Sequence, residues 1–378
     1  MKKSKILLLS ILIILSYLIP CCHAESYSFS YEILNQPGGS IHYRLNVMVQ
    51  QSLYDYYREK SHTLNSNNDF AKFVTSYALK PIADKLWEIY TDDEDFANAV
   101  LMIVHQIPYE ITAPPKYPVE TIVENKGDCD LFSYIAASII KAGGLDVVLL
   151  YYETKAHMNI GVSLSHVPYD ARGQAYYVTY NDIRYYIAET TGDWQDWQNG
   201  WRVGECPAEL KNAPVQVITL ENSDSSTFGQ VSASYTTLLS SAVSLAVSPP
   251  FVIQGGIVTF SGKLSPNLQN ETIKIYLKVN NSPWILLGET TTTNDGNFAY
   301  IWNADVAGIC YIRASWSGNE DYAGADSQIQ TVTSLSIFFV VLLGMTVVLV
   351  CVGIVLYAIS KQSRPAIQEP PPPEIPQV

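Results

Sequence analysis

Three residues, Cys129, His157 and Glu189, are of the types that acyl transfer through a thioester requires. They offer a sulfur nucleophile, a base that hands the proton to the departing amine, and a carboxylate that orients the base. Cys129 lies in Lys126-Gly127-Asp128-Cys129-Asp130-Leu131-Phe132, followed by helical apolar spacing over 133–142 and a stop at Gly143-Gly144. This pattern predicts a buried helix with Cys129 at its start and Asp128 as its cap. The placement matters because a free thiol of pKa about 8.5 is only roughly 3% thiolate at pH 7, and a helix N-terminus with an imidazolium alongside lowers such a pKa by several units. His157 opens a strand-like stretch, 157–164, in which His157, Asn159 and Gly161 share a face. A further strand over 185–191 puts Ile187 and Glu189 on one face, and Asn159 and Asp182 are alternative orienters of the histidine. An oxyanion hole would combine the Cys129 amide with a side-chain donor, for which Tyr109 and Tyr117 are candidates.

Each residue also has an ordinary reading. A cysteine at a helix start is usually a small buried hydrophobe, a strand histidine a hydrogen-bonded surface residue, and Asp128 and Asp130 local helix caps. The order of the three residues on a helix and two strands is what points to chemistry. No metal site is expected, because Cys129, His157, His105 and His166 include no close ligand pair, and no cofactor is implied. Asn294-Asp295-Gly296-Asn297 fits a calcium loop less well than a hairpin turn, and the tyrosines over 176–186 suit strand packing better than sugar stacking.

The elements that must position these residues are legible in outline. Thr91-Asp92-Asp93-Glu94 is a capping box opening a helix with Phe96, Val100, Ile103 and Ile107 on one face, and residues 69–90 are helical in pattern with Pro81 splitting them. A strand over 147–152 and a turn over 153–156 lead to His157. Cysteine on a helix, histidine opening a strand, then an acidic residue in an aromatic-rich strand: this order resembles the transglutaminase-like superfamily, which shares a papain-like α+β fold. The similar stretch covers about 92–192, and its most specific parts are Gly127-Asp128-Cys129-Asp130 and the Gly143-Gly144-Leu145 turn into a strand. The resemblance implies Cys129 as nucleophile, His157 as general base and acid, and Glu189 as third member. The family usually has Asp-Pro-Thr where this chain has Glu189-Thr190-Thr191, and an aromatic residue after the histidine where this chain has Met158-Asn159. Glutamate is one methylene longer, so its carboxylate must approach the imidazole differently.

The 378 residues leave room for two or three domains. Lys2, Lys3 and Lys5 before an apolar run, with Cys22-His23-Ala24 as a cleavage context, predict a signal peptide over 1–24. Residues 25–221 form the transglutaminase-like domain, and the Ser/Thr-rich segment 222–244 is a linker by composition. Over 245–333, short strand-like runs separated by turns predict an all-β sandwich resembling the Ig-like modules of prokaryotic surface proteins. The uncharged run 335–359 is long enough to cross a bilayer, and Lys361 and Arg364 after it place the Pro-rich tail 360–378 in the cytoplasm and the rest outside. Asn270-Glu271-Thr272 and Asn280-Asn281-Ser282 fit the glycosylation pattern expected of an exposed module.

A net charge of −13, from 36 acidic against 23 basic residues, argues against nucleic-acid partners. Cys129, Cys206 and Cys310 would lie outside the cell, where a Cys129–Cys206 disulfide would silence or gate the thiol. The expectation is therefore a single-pass cell-membrane cysteine enzyme acting on an extracellular protein, peptide or cell-envelope substrate, with hydrolysis favoured over crosslinking. The alternative is a non-catalytic surface adhesin or binding scaffold on the same fold. Thiol labelling near neutral pH that is lost in Cys129→Ala separates the two.

Overall fold

The computed structural model describes residues 26–319 and 321–362. The signal segment and the tail beyond Gln362 lie outside the described residues. Two strands with period-two alternation open the chain: β1 (Ser26–Leu34) pairs antiparallel along its length with β2 (His42–Gln50). Helix α1 (Gln51–Glu59), a 3-10 turn (Asn67–Phe73) and α2 (Ser76–Trp87) follow. Pro81 does not split α2; the break falls earlier, at Val74-Thr75. A proline cannot bond the carbonyl four residues back. Here that carbonyl, Tyr77 O, accepts a hydrogen bond from Gln230 Nε2 at 3.1 Å instead, so the helix runs on without an orphaned acceptor.

Next come α3 (Asp93–His105), α4 (Pro118–Glu124) and α5 (Cys129–Ala142). The cap of α3 is Asp92 rather than Thr91: its carboxylate accepts from the Glu94 and Asp95 amides, while the Glu94 carboxylate accepts from the Tyr169 and Asp170 amides. A five-stranded antiparallel sheet completes this part, from β3 (Val147–Tyr152), β4 (His157–Val162), β5 (Tyr177–Tyr180), β6 (Ile183–Ala188) and β7 (Gln216–Ile218), in the order β5-β6-β4-β3-β7. Its alternating side chains serve two cores. Leu149 and Ile160 join the main core with Leu131, Ile135 and Ile139 of α5, while Val148, Leu150 and Ile187 meet Cys206 and Leu210 on the other face.

The Ser/Thr-rich segment is not a free linker. Its β8 (Ser232–Ser234) pairs with β2, and Phe228 stacks between Tyr56 and Tyr276 with ring centroids 3.8 and 4.0 Å apart. Serine composition suggests a loop, but an edge strand needs only its backbone, and Val231 and Phe228 supply buried apolar surface.

A second unit contains β9 (Ala242–Ser248), β10 (Phe251–Ile253), β11 (Ile257–Ser265), β12 (Thr272–Val279), β13 (Ile285–Thr291), β14 (Asn297–Asn303), β15 (Gly308–Gly318), β16 (Ala323–Asp326) and β17 (Gln330–Leu335). One sheet runs β10-β17-β15-β12-β13 with β16 beside β15, and the other β14-β11-β9. They enclose a core of Phe260, Ile275, Trp302, Ile312 and Trp316. Asn294-Asp295-Gly296-Asn297 does form a tight turn, closed by Gly296 N to Thr293 O at 2.9 Å, but it crosses from one sheet to the other instead of closing a hairpin. Last comes α6 (Ile337–Gln362), whose residues Ile337–Ile359 have a mean hydropathy of 3.0 and exposed apolar side chains. One helix near the C-terminus is therefore apolar enough to span a membrane.

The two units are joined by buried polar contacts. Asp326 accepts from the Ser52 amide at 2.8 Å and the Ser52 hydroxyl at 2.7 Å, and Arg313 lies between Asp55 and Asp326 at 3.6 and 3.9 Å. Tyr276 donates to the Phe228 carbonyl. Replacing Asp326 with Ala leaves the Ser52 amide unmet, leaves its hydroxyl only the Ser315 hydroxyl at 3.4 Å, and removes a charge partner of Arg313. It should lower the unfolding free energy by about 3 kcal/mol. Urea unfolding of the full chain in detergent checks this, and a loss below about 1 kcal/mol would contradict the interface described.

Candidate active site

The site is assembled where the start of α5 meets the ends of β4 and β6. Apolar residues at helical spacing bury α5 against the sheet, which leaves its first turn at the rim and Cys129 partly exposed. The amides of this turn have no intrahelical acceptor, so the Cys129 N–H remains available to a developing oxyanion. The chain enters β4 through a 3-10 turn (Glu153–Lys155) and Ala156 in the left-handed region at φ 46°, and the Cys129 sulfur lies 4.0 Å from the Ala156 carbonyl oxygen. His157, the next residue, lies close enough to the Cys129 sulfur for the two to interact electrostatically, and on its other side its Nε2 is bonded to Glu189.

Glu189 lies one residue beyond β6, fully buried, at the end of the strand that pairs with β4. Its Oε2 is 2.9 Å from His157 Nε2 and accepts from Asn159 Nδ2 at 3.0 Å. Its Oε1 accepts from the Thr191 amide at 2.9 Å and the Thr191 hydroxyl at 2.5 Å. Nε2 is thereby committed to the carboxylate, which leaves Nδ1 for the sulfur. Burial raises the pKa of a carboxyl, but the His157, Thr191 and Asn159 hydrogen bonds outweigh it and hold Glu189 below its ordinary value. For His157, burial acts to lower the pKa; the hydrogen bonds and charges of Cys129 and Glu189 overcome it and push the ring up to about 10. The imidazole is therefore cationic at neutral pH beside the sulfur.

The two alternative orienters play other parts. Asn159 bonds the Glu189 carboxylate, and Asp182 sits with Asn181 in the β5–β6 turn, both at positive φ, at the far end of β6. Five to six residues of strand place Asp182 about 20 Å away. Of the two tyrosines, Tyr109 is at the site and Tyr117 is not. Tyr109 is 51% exposed, edge-on to Phe132, and close enough to Cys129 and Asp128 that their charges add to the effect of burial in raising its pKa. Tyr117 is buried beside Tyr57 and Phe73, with its hydroxyl on Ser61 O at 3.2 Å.

Asp128 does not cap α5 with its side chain. Its Oδ2 instead accepts from the Thr112 amide at 2.8 Å, tying down the segment that carries Tyr109, which also bridges to Gly127. The neighbouring Asp130 carboxyl is pushed up to about 8 by burial and by Asp128. Supporting groups were not apparent in the sequence. Thr190 and Ser133 hydroxyls meet at 3.0 Å, and Ser133 also bonds the Cys129 carbonyl at 2.7 Å, locking the first turn of α5 to the end of β6. Buried His105 contacts the Glu189 carbonyl at 3.0 Å through Nε2. Gly192 and Gly200 lie flat on the His105 ring, where a Cβ would come within 2.8 and 2.4 Å of it. Only the departure Glu189-Thr190-Thr191 from the family pattern hinted at hydroxyl support here.

Cys129 and Cys206 are free thiols, and Cys206 is buried on the far side of the sheet, its thiol pushed up to about 11 by burial. Asp92, Asp93 and His166 bring ligand atoms within 4.8 Å of one another, but Asp92 caps α3 and bonds His166 Nε2 at 2.9 Å. That cluster is accounted for by capping.

The raised His157 pKa makes its contribution to stability full below about 6.5 and lost as pH rises through about 10. The lowered Glu189 pKa gives a contribution present above about 4.5 and lost on acidification below it. The stability difference between the wild type and His157→Gln should therefore be widest near pH 5–6 and shrink steadily towards pH 10, about the folded pKa of the ring. Urea midpoints across that range test it, and a difference that grows with pH contradicts the ion pair.

Neither a protein-family model nor a curated protein sequence matches the chain. Among solved structures it is weakly similar to the tetra-tandem repeat in the extending region of a large adhesion protein, at TM-score 0.21 and 11% identity, covering 50% of this chain and 42% of that one. It is weakly similar to the bacterial hydrophobin BslA, at TM-score 0.17 and 11% identity over 27% of this chain and 98% of that one. A red sea bream transglutaminase is also a weak structural neighbour, at TM-score 0.22 and 6% identity over 78% of this chain and 70% of that one. Likenesses this low carry no weight for fold or activity, and the chain spans less than half of the adhesion-protein repeat.

Proposed function

We propose that the protein is a membrane-anchored cysteine enzyme of transglutaminase-like type that cleaves peptide or amide bonds through a thioester. The observation that carries this reading is His157 held between the Cys129 sulfur and the buried Glu189 carboxylate. Cys129 Sγ attacks the carbonyl carbon, the oxyanion forms near the Cys129 amide, and the C–N bond breaks as His157 gives its proton to the departing amine. Acylation removes the sulfur as an interaction partner of the ring, one of the influences that raise the His157 pKa, so the ring becomes a better base at the stage where it must deprotonate water. Water then attacks the thioester, releasing the acid and restoring the thiol. Hydrolysis is favoured over crosslinking because it needs no second binding site.

Ile337–Ile359 is the proposed single span, and Lys361 and Arg364 after it favour an orientation with the catalytic part outside the cell. Truncation before Ile337 should move the chain from the membrane pellet to the soluble fraction. Retention in the pellet after alkaline wash would remove the anchor from this account.

Amide hydrolysis of a peptide library by the full chain tests the chemistry. Cys129→Ala should abolish turnover, and His157→Ala should lower kcat by about 10²–10⁴-fold. Glu189→Gln should lower kcat with KM changed less than about twofold, since it acts through the histidine. Hydroxylamine should be acylated in competition with water. Full activity in Cys129→Ala, or thiol labelling no faster in the folded than in the unfolded chain, would favour a binding scaffold instead.

A further inference from the structure

An open trough of about 390 Å³, within the size range of small-ligand pockets, is linked to the proposed active site through Gln106, whose neighbour His105 contacts the Glu189 carbonyl. It is lined by the β1 edge, by Asn125 at the end of α4, and by Trp194 and Trp197 in the segment after Glu189. Asn125 precedes Cys129 by four residues and Trp194 follows Glu189 by five, so the trough flanks both chain segments that carry reactive groups.

Its chemistry is distinctive. No charged side chain lines it, although the chain as a whole carries a charge of −13. Trp194 is 48% exposed. Trp197 is half-buried against the core on a 3-10 turn (Trp197–Asn199) that is bonded to itself, so one ring is rigidly held and the other projects. Around these rings the Ser28 hydroxyl, the Asn125 amide and both indole N–H groups meet no hydrogen-bonding partner among the described residues. Tyr31, which also lines the trough, is only 3% exposed, and its hydroxyl has no partner either.

We propose that this trough is a saccharide subsite, and that the substrate of Cys129 is a peptide or amide carrying a neutral sugar. A pyranose offers flat C–H faces that stack on indole rings and a rim of hydroxyls that match unpaired amide, hydroxyl and N–H groups, without any charge to neutralise. A plain peptide would fill the same space with alternating side chains and would leave most of these polar groups unmet. The consequence for the substrate rests on the cysteine-enzyme reading; the binding of sugar does not.

Calorimetric titration of the full-length Cys129→Ala chain, in a zwitterionic detergent free of sugar, with neutral tetrasaccharides of glucose and of N-acetylglucosamine tests the subsite alone. Saturable binding is expected with at least one of them, weakened about tenfold or more in Trp194→Ala and in Asn125→Ala and largely restored in Trp194→Phe, which keeps a stacking ring. No saturation with either sugar up to about 10 mM, or binding unchanged in Trp194→Ala, overturns the proposal. So does equal competition by the unglycosylated peptide. Turnover by the wild type measured alongside keeps the two readings apart: sugar binding without amide cleavage removes the enzyme and leaves the subsite, and cleavage without sugar binding does the reverse.

Discussion

Burying a carboxylate costs several kcal/mol unless the surroundings supply donors, and Glu189 is buried completely. Four donors meet it: the imidazole of His157, the amide of Asn159, and the main-chain amide and hydroxyl of Thr191. They come from two parts of the local geometry. The pairing of β4 with β6 brings His157 and Asn159 alongside, because side chains two apart share a face of the strand. The turn after Ala188 then folds Thr191 back over the other oxygen. A shift of register by one residue would turn His157 away and leave the charge stranded, so the sheet and the ion pair enforce one another.

The sulfur is fixed from two further sides. Ser133 and Thr190 join the first turn of α5 to the end of β6, and Asp128 holds the Thr112 amide, so that the Tyr109 segment cannot drift from the helix. The result is a cysteine sulfur at a helix start whose neighbours belong to three separate stretches of chain. His105 and the two glycines laid on its ring carry the support one layer deeper, under the Glu189 carbonyl. Burial lowers the pKa of His105, which favours the neutral ring, with Nε2–H donating to that carbonyl.

The β-sandwich is more than an appendage spaced by a flexible tether. The Tyr56–Phe228–Tyr276 stack and the Ser52–Asp326 bonds make the junction part of the folded interior. Contacts of this kind hold the two units against each other, whereas a disordered linker would leave them free.

Much of this arrangement was legible beforehand. Residue type and short-range periodicity determined the helix that begins at Cys129, the strand that begins at His157, five of the sandwich strands and the apolar C-terminal helix, because each depends on neighbours within a turn or a pleat. Period-two alternation even put His157 and Asn159 on the face that Glu189 meets. Other features depend on partners far along the chain: Gln230, which rescues the Tyr77 carbonyl that Pro81 orphans; Thr112, which takes Asp128 from its capping role; and β2, which turns a serine-rich segment into a strand. The choice between Tyr109 and Tyr117, equal as residue types, was made by which ring the core enclosed. Hydrogen bonding and burial are properties of the packed chain, so local pattern named the reactive groups and tertiary contact alone decided which of them meet.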